Sequence, residues 1–273
     1  MQTWYGDDEP PDPSFSIPRL LRALLRGVPL AINTFGCLVL LLLLRAIERP
    51  LFGQRRPLTP WITQYVCRSA FVILGMGYRV EGRPMAAPGA VVANHGSWLD
   101  IFALNAPQRI YFVSKSEVAG WPGIGWLARA TGTVFIKRDR AEAARQLAMF
   151  RARLGHGHRL LFFPEGTSTD GKRVLPFMST LFAAFFDPKM PDDTALQAVT
   201  VIYSAPEGED HRFYGWWGGM TFEGHLWKVL SARRQGSVRV VFHEPVPVAE
   251  LKGRKEAAER LHGLVAAPFQ SKP

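Results

Sequence analysis

Cysteine is nearly absent from this chain: its 273 residues hold two, Cys37 and Cys67. Two thiols exclude a disulfide framework, and no metal-ligand spacing surrounds them, so a reducing compartment is the simpler setting. A Lys/Arg-rich block is also missing, although the formal net charge is +10. The basic residues sit beside apolar and aromatic stretches, which favours a membrane surface over nucleic acid as the partner. The chain has no Gly-x-Ser-x-Gly elbow and no histidine close in sequence to either cysteine. A covalent serine or cysteine nucleophile therefore has no sequence support. No internal repeat or low-complexity segment stands out. What remains is a chain with 47% hydrophobic residues, enough for one large domain plus an appendage.

The appendage is N-terminal. Residues 1–17 are acidic and punctuated by proline (Asp7, Asp8, Glu9, Pro10, Pro11, Asp12, Pro13), the pattern of a disordered tail. They lack the positive charge of a signal-peptide leader. Residues 18–76 read as membrane-anchoring helices. Gly27 to Leu44 runs without a charge, at about eighteen residues the lower limit for spanning a bilayer. Arginines flank it on both sides: Arg19, Arg22 and Arg26 before, Arg45, Arg49, Arg55 and Arg56 after. A spanning helix usually shows an asymmetric distribution. Basic residues at both ends suit a helix whose two ends face the same headgroup layer. A second apolar stretch, Trp61 to Tyr78, pairs with it as a helical hairpin in this reading, with a single span as the alternative.

From residue 77 to about 265 the pattern changes. Short apolar runs read as strands: Tyr78–Glu81, Ala90–Ala93, Ile110–Val113, Val134–Lys137, Leu160–Phe163, Ala198–Tyr203 and Val238–His243. Helical patterns such as Arg140–Leu154 and Pro247–Leu264 accompany them. The alternation predicts an α/β domain with a mixed, mostly parallel sheet flanked by helices.

Three polar punctuations close apolar runs. The first is Asn94-His95-Gly96-Ser97-Trp98-Leu99-Asp100. Within one helix, five residues turn the chain by about 500°, leaving His95 and Asp100 roughly 140° apart. They meet only if His95 precedes the helix, at a strand-to-helix turn. The carboxylate then fixes the imidazole tautomer and leaves the other ring nitrogen as a general base. The second is Phe163-Pro164-Glu165-Gly166-Thr167, where Glu165 is placed to hold a polar group and nearby amides to face an oxyanion. The third is Val134-Phe135-Ile136-Lys137-Arg138, a basic strand end suited to phosphate. His156-Gly157-His158 has no nearby acidic or thiol partner in sequence and reads as a loop rather than a metal site.

In this order, and with Ala198-Val199-Thr200-Val201 after them, these blocks resemble the glycerophospholipid acyltransferase family over roughly residues 60–245. The resemblance implies that His95 is the base and Asp100 its orienting partner. It implies that Lys137 and Arg138 contact the acceptor headgroup, and that Glu165, Gly166 and Thr167 shape the acceptor site, with Gly166 a backbone donor to the oxyanion. The co-substrate would be acyl-CoA or acyl carrier protein, with no metal and no cofactor. The seat would be the cytoplasmic face of the inner membrane. The acceptor expected first is 1-acylglycerol-3-phosphate, giving phosphatidic acid. Two departures qualify that choice. Ser168 stands where many phosphatidate-forming members have arginine, and the late block lacks its usual proline. Val174-Leu175-Pro176-Phe177, Phe213-Tyr214-Gly215 and His225-Leu226-Trp227 look like members that acylate lyso-ornithine lipid. A catalytically silent lipid-binding protein is the rival from another class.

Overall fold

The computed structural model describes residues 3–6, 8–137 and 142–270. The chain opens with a long helix, α1 (Ile17–Phe52), followed by α2 (Thr59–Leu74). The domain then runs β1 (Gly77–Glu81), β2 (Gly89–Ala93), α3 (Asp100–Asn105), β3 (Tyr111–Lys115), α4 (Ile124–Thr131), β4 (Val134–Ile136), α5 (Ala143–Gly155) and β5 (Arg159–Phe162). After β5 come β6 (Ala195–Ser204), α6 (Phe222–Ser231), β7 (Ser237–Phe242), β8 (Val246–Pro247) and α7 (Arg254–Gln270).

The strands form one sheet in the order β1-β7-β6-β2-β5-β3-β4, with β8 beside β6. Pairings are parallel except β6 with β7 and β6 with β8. The central strand β2 is buried throughout. Its sequence, Gly-Ala-Val-Val-Ala, is the continuous apolar run expected of a strand covered on both faces. Ala90 and Val92 join Phe150 of α5 and Leu261 of α7 in one core. Val91 and Ala93 join Phe71 of α2, Leu99 and Leu104 in the other. All seven strands expected from sequence are present.

Helix α1 carries its charges toward its ends, and its middle, 27–44, is uncharged. Ile17, Leu21, Leu25, Val28, Ile32, Val39 and Leu43 are exposed, and steps of three, four and seven residues keep them on one stripe; Leu40, Leu42, Ile47 and Leu51 beside it are exposed too. The opposite face is held by the domain. Arg22 donates to Ser231 O at 2.8 Å, and Arg26 donates to Leu230 O at 2.9 Å and Ala232 O at 2.6 Å. Further along, Asn33 bonds Ser69 Oγ of α2 at 2.9 Å. Trp61, Tyr65 and Val72 of α2 are exposed as well.

The described residues of the tail form no helix or strand but lie across the domain. Trp4 N donates to Thr167 Oγ1 at 3.3 Å. Arg212 donates to Asp8 O and Trp227 Nε1 to Pro13 O, each at 3.2 Å. Phe15 stacks on Trp227 at 6.0 Å. Composition predicts a disordered segment here; these long-range contacts fasten it.

Candidate active site

The parallel strands β2 and β5 end side by side, and the two segments that follow them build the site. Residues 94–99 form the turn between β2 and α3. Asn94 anchors its start: Nδ2 donates to Val201 O at 2.9 Å, and Oδ1 accepts from Val201 N at 2.8 Å. Asp100 opens α3, so its side chain reaches back along the turn. Oδ2 takes His95 Nδ1 at 2.8 Å and the amides of Gly96 and Ser97 at 2.9 and 3.0 Å. Oδ1 takes the Tyr203 hydroxyl at 2.7 Å. Two amides already donate to Oδ2, which accordingly acts as an acceptor. Nδ1 therefore carries the proton that joins it to Asp100, and Nε2 carries the lone pair. The Asp100 side chain is fully buried, whereas that of His95 is 21% exposed. Of the pair, only the imidazole is reachable from outside.

The segment after β5 grips the histidine from its other side. Glu165 Oε1 accepts the His95 amide at 2.7 Å, and Oε2 accepts the Leu175 amide at 2.7 Å. Thr169 N donates to His95 O at 2.9 Å. The Phe163 ring lies nearly parallel to the imidazole, 4.1 Å between centroids. Burial pushes the Glu165 carboxyl up to about 8, outweighing the two amide bonds that pull it down. Burial also pushes the Tyr203 hydroxyl well above its ordinary value, and the neighbouring Asp100 carboxylate adds to this. The hydroxyl thus stays a donor.

Glycine is required where the two segments touch. A Cβ on Gly96 would lie 2.9 Å from Gly171 Cα, closer than real side chains approach backbone. Gly166 adopts φ 73°, and its amide closes a turn onto Phe163 O at 3.1 Å. In this structure the Gly166 amide, expected to face an oxyanion, donates within the loop. Thr167 Oγ1 accepts from Trp4 N at 3.3 Å. Lys137 is exposed, just past the end of β4. Strand β4 is three steps from β2 in the sheet, or about 14 Å at the usual spacing. Lys137 thus shares an end of the sheet with His95 without touching it. Arg138 lies outside the described residues.

Sequence reasoning does not single out Tyr203, Phe163 or Thr169 as site residues. A signal for Tyr203 exists: Val199, Val201 and Tyr203 alternate onto the one face of β6 that packs in the core with Val91, Ala93 and Leu99. Only the sheet register shows that this face ends beside Asp100.

The acyltransferase family model matches residues 78–204. The chain is 58% identical over 262 residues to the lyso-ornithine lipid O-acyltransferase of Rhodobacter capsulatus, covering 96% of this chain and 95% of that protein. The chain belongs to the glycerophospholipid acyltransferase family. A more distant relative of this acyltransferase is the 1-acyl-sn-glycerol-3-phosphate acyltransferase of Neisseria gonorrhoeae, 36% identical over 73% of the chain and 77% of that protein. The fold matches the crystal structure of the 1-acyl-sn-glycerophosphate acyltransferase PlsC from Thermotoga maritima, with a TM-score of 0.63, 21% identity and coverage of 93% and 95%. The mixed sheet and flanking helices are therefore those of the family.

Proposed function

We propose that this acyltransferase moves a fatty acyl chain from an acyl thioester, acyl-CoA or acyl carrier protein, to the hydroxyl of lyso-ornithine lipid. The observation that carries the acceptor choice is the similarity to the Rhodobacter capsulatus protein, 58% through nearly the whole chain. The Neisseria gonorrhoeae protein reaches 36% over a shorter span. Ser168, in place of the arginine that many phosphatidate-forming members carry, agrees with an acceptor that lacks phosphate. Acylation of 1-acylglycerol-3-phosphate is the second reading, favoured by the basic Lys137 at the same end of the sheet.

In this proposal His95 Nε2 takes the proton of the acceptor hydroxyl as its oxygen attacks the thioester carbonyl. Asp100 holds the imidazole through Nδ1 and stabilises the imidazolium that forms. Collapse of the tetrahedral intermediate breaks the C–S bond, and the imidazolium returns the proton to the leaving thiolate. The products are an ester and a free thiol. Phe163 and Glu165 position the histidine by its ring face and its amide.

The substrate would come from a lipid surface. Helix α1 is docked in its first half through Arg22, Arg26 and Asn33, and near its end Glu48 accepts from the Leu58 amide and Thr59 Oγ1. A helix held this way lies along the bilayer with its exposed stripe in the headgroup and upper acyl region. We place the enzyme as monotopic, on the cytoplasmic face, where acyl-CoA and acyl carrier protein are found.

The test is purified enzyme given one acyl donor and both lysolipids, with products identified by mass spectrometry. Diacyl ornithine lipid is the expected product, and formation of phosphatidic acid alone would overturn the acceptor assignment. His95→Ala is expected to abolish transfer while the protein still sediments with vesicles. Turnover near wild type in that variant removes the proposed base.

A further inference from the structure

We propose that an anion site at the end of the sheet opposite His95 takes the phosphate of an anionic phospholipid headgroup. A cleft of about 420 Å³ opens there, lined by Arg55, Arg56, Arg109, Arg159, His156 and His158 among others. It lies at the N-terminal ends of β3 and β5, since Tyr111 and Arg159 line it. The four residues of β5 separate it from the Phe163–Thr167 segment, about 13 Å along the strand. It is therefore separate from the His95 site.

Its charge is one-sided: none of the residues that line it is acidic. The nearby carboxylate, Glu48, is already engaged by Arg45, Thr59 Oγ1 and the Leu58 amide. The arginines are held in place by neutral partners. Arg56 donates to Ala130 O at 2.7 Å, Arg159 donates to Met85 O, and Arg109 lies over the Trp61 ring at 4.5 Å. Gathering like charges is unfavourable without a counter-charge. Burial, with Arg45 beside it, pushes the Arg56 guanidinium down to about 10.

Two buried donors also lack partners among the described residues. These are Arg56 Nε and His158 Nε2. His158 is only 5% exposed, and burial beside Arg153 pushes it down to about 3. Neutral, it accepts from Arg153 at Nδ1, 3.2 Å away, so the proton sits on the unpartnered Nε2. Converging guanidinium groups with fixed N–H donors are the arrangement that recognises phosphate.

The rim selects a lipid over a free ion. The end of α1 and the turn to α2 border the cleft, through Phe52, Arg55, Arg56 and Pro57. Leu51 of α1, Leu58 of the turn and Trp61 of α2 are exposed. A phosphate in the cleft would thus have its acyl chains beside an apolar surface. The volume also suits a headgroup, since small-molecule sites span roughly 300–1,000 Å³.

The test uses the full-length protein in detergent, titrated with monomeric dihexanoylphosphatidylglycerol, inorganic phosphate and free CoA. Wild type is expected to bind the short-chain lipid saturably at one site. The double variant Arg55→Gln with Arg109→Gln should bind it about tenfold more weakly, and His158→Phe more weakly as well. A charge-matched control at two exposed residues, Lys252→Gln with Arg254→Gln, should not. Acyl transfer to a detergent-dispersed acceptor is expected to be unchanged in the cleft variants, which keeps this result independent of the acceptor assignment. Equal lipid affinity in the cleft and control variants would overturn the site. Inorganic phosphate binding as tightly as the lipid, or CoA displacing it, would overturn the lipid as occupant.

Discussion

Asp100 is held from two places in the chain, the 95–97 turn and Tyr203 of β6, and its two oxygens divide the work. Oδ2 orients His95, while Oδ1 receives the single hydroxyl of Tyr203. Tyr203→Phe keeps the ring but leaves that buried oxygen unpaired, a loss of about 1–3 kcal/mol. The expected result is a kcat reduced roughly tenfold or more with KM little changed, because the acceptor does not touch Tyr203. Rate constants for the pure variant check this; a fall confined to KM would contradict it. Glu165 makes a prediction of a different kind. Its carboxyl stays protonated to about pH 8 in the folded enzyme but ionises near 4.3 in an unfolded chain. Between those values the folded state binds the extra proton, so stability declines as pH rises from about 5 to 8. Glu165→Gln removes the titrating group. Unfolding midpoints across that range should lose the decline in the variant, and a parallel slope in both proteins would show that Glu165 does not cause it. The His95–Asp100 pair is legible in sequence because the five-residue spacing works only across a turn, and an apolar run before it marks a strand. The Tyr203 contact is not, because it depends on how β6 registers against β2.

At the level of elements, the strands are the legible part. Apolar runs bounded by glycine or proline mark β2 and β5, and both are buried on two faces. Helix α3 is legible only through the strand-to-helix turn that the His95–Asp100 spacing requires, and helix α6 escapes sequence reading. Helix α3 has six residues, too few for a period to emerge. Helix α6 follows an irregular, aromatic-rich stretch and announces itself only by its cap, Thr221 Oγ1 accepting from Gly224 N at 3.1 Å. The β2–α3 turn and the loop after β5 are packed as one unit, joined by Thr169 N to His95 O and by the Gly96–Gly171 contact, while Trp216 N of the β6–α6 connection donates to Gly96 O. Gly96→Ala drives the two backbones apart. Overpacking of this kind costs about 1–3 kcal/mol, and a displacement near 1 Å at a reacting group lowers turnover about a hundredfold. The variant should therefore fold, melt lower and lose most of its kcat. Thermal melting and steady-state rates test this, and a variant with wild-type turnover would show that the turn tolerates a wider gap.

For the whole molecule the decisive matter is how it sits on the bilayer. The charge pattern around Gly27–Leu44 leaves an in-plane anchor and a span both open, because composition and length are compatible with either. The proposed in-plane arrangement rests on docking: Arg22 and Arg26 are tied to backbone carbonyls of the domain. The two arrangements differ in depth. Leu21 and Leu43 are twenty-two residues apart, about 33 Å along a helix, close to the roughly 30 Å thickness of the hydrocarbon core. A span would put them at opposite interfaces with Ile32 near the midplane. An in-plane helix puts all three at one shallow depth, about 5–10 Å into the boundary between headgroups and chains. Single cysteines introduced at residues 21, 32 and 43, with Cys37 changed to serine and the buried Cys67 retained, can carry a fluorophore whose quenching by lipid-attached spin labels reports depth. Equal, shallow depths at the three positions are expected. A midplane depth at residue 32 flanked by two interfacial ones would require α1 to detach from α6, and with it the proposed delivery of lysolipid along one leaflet would fall.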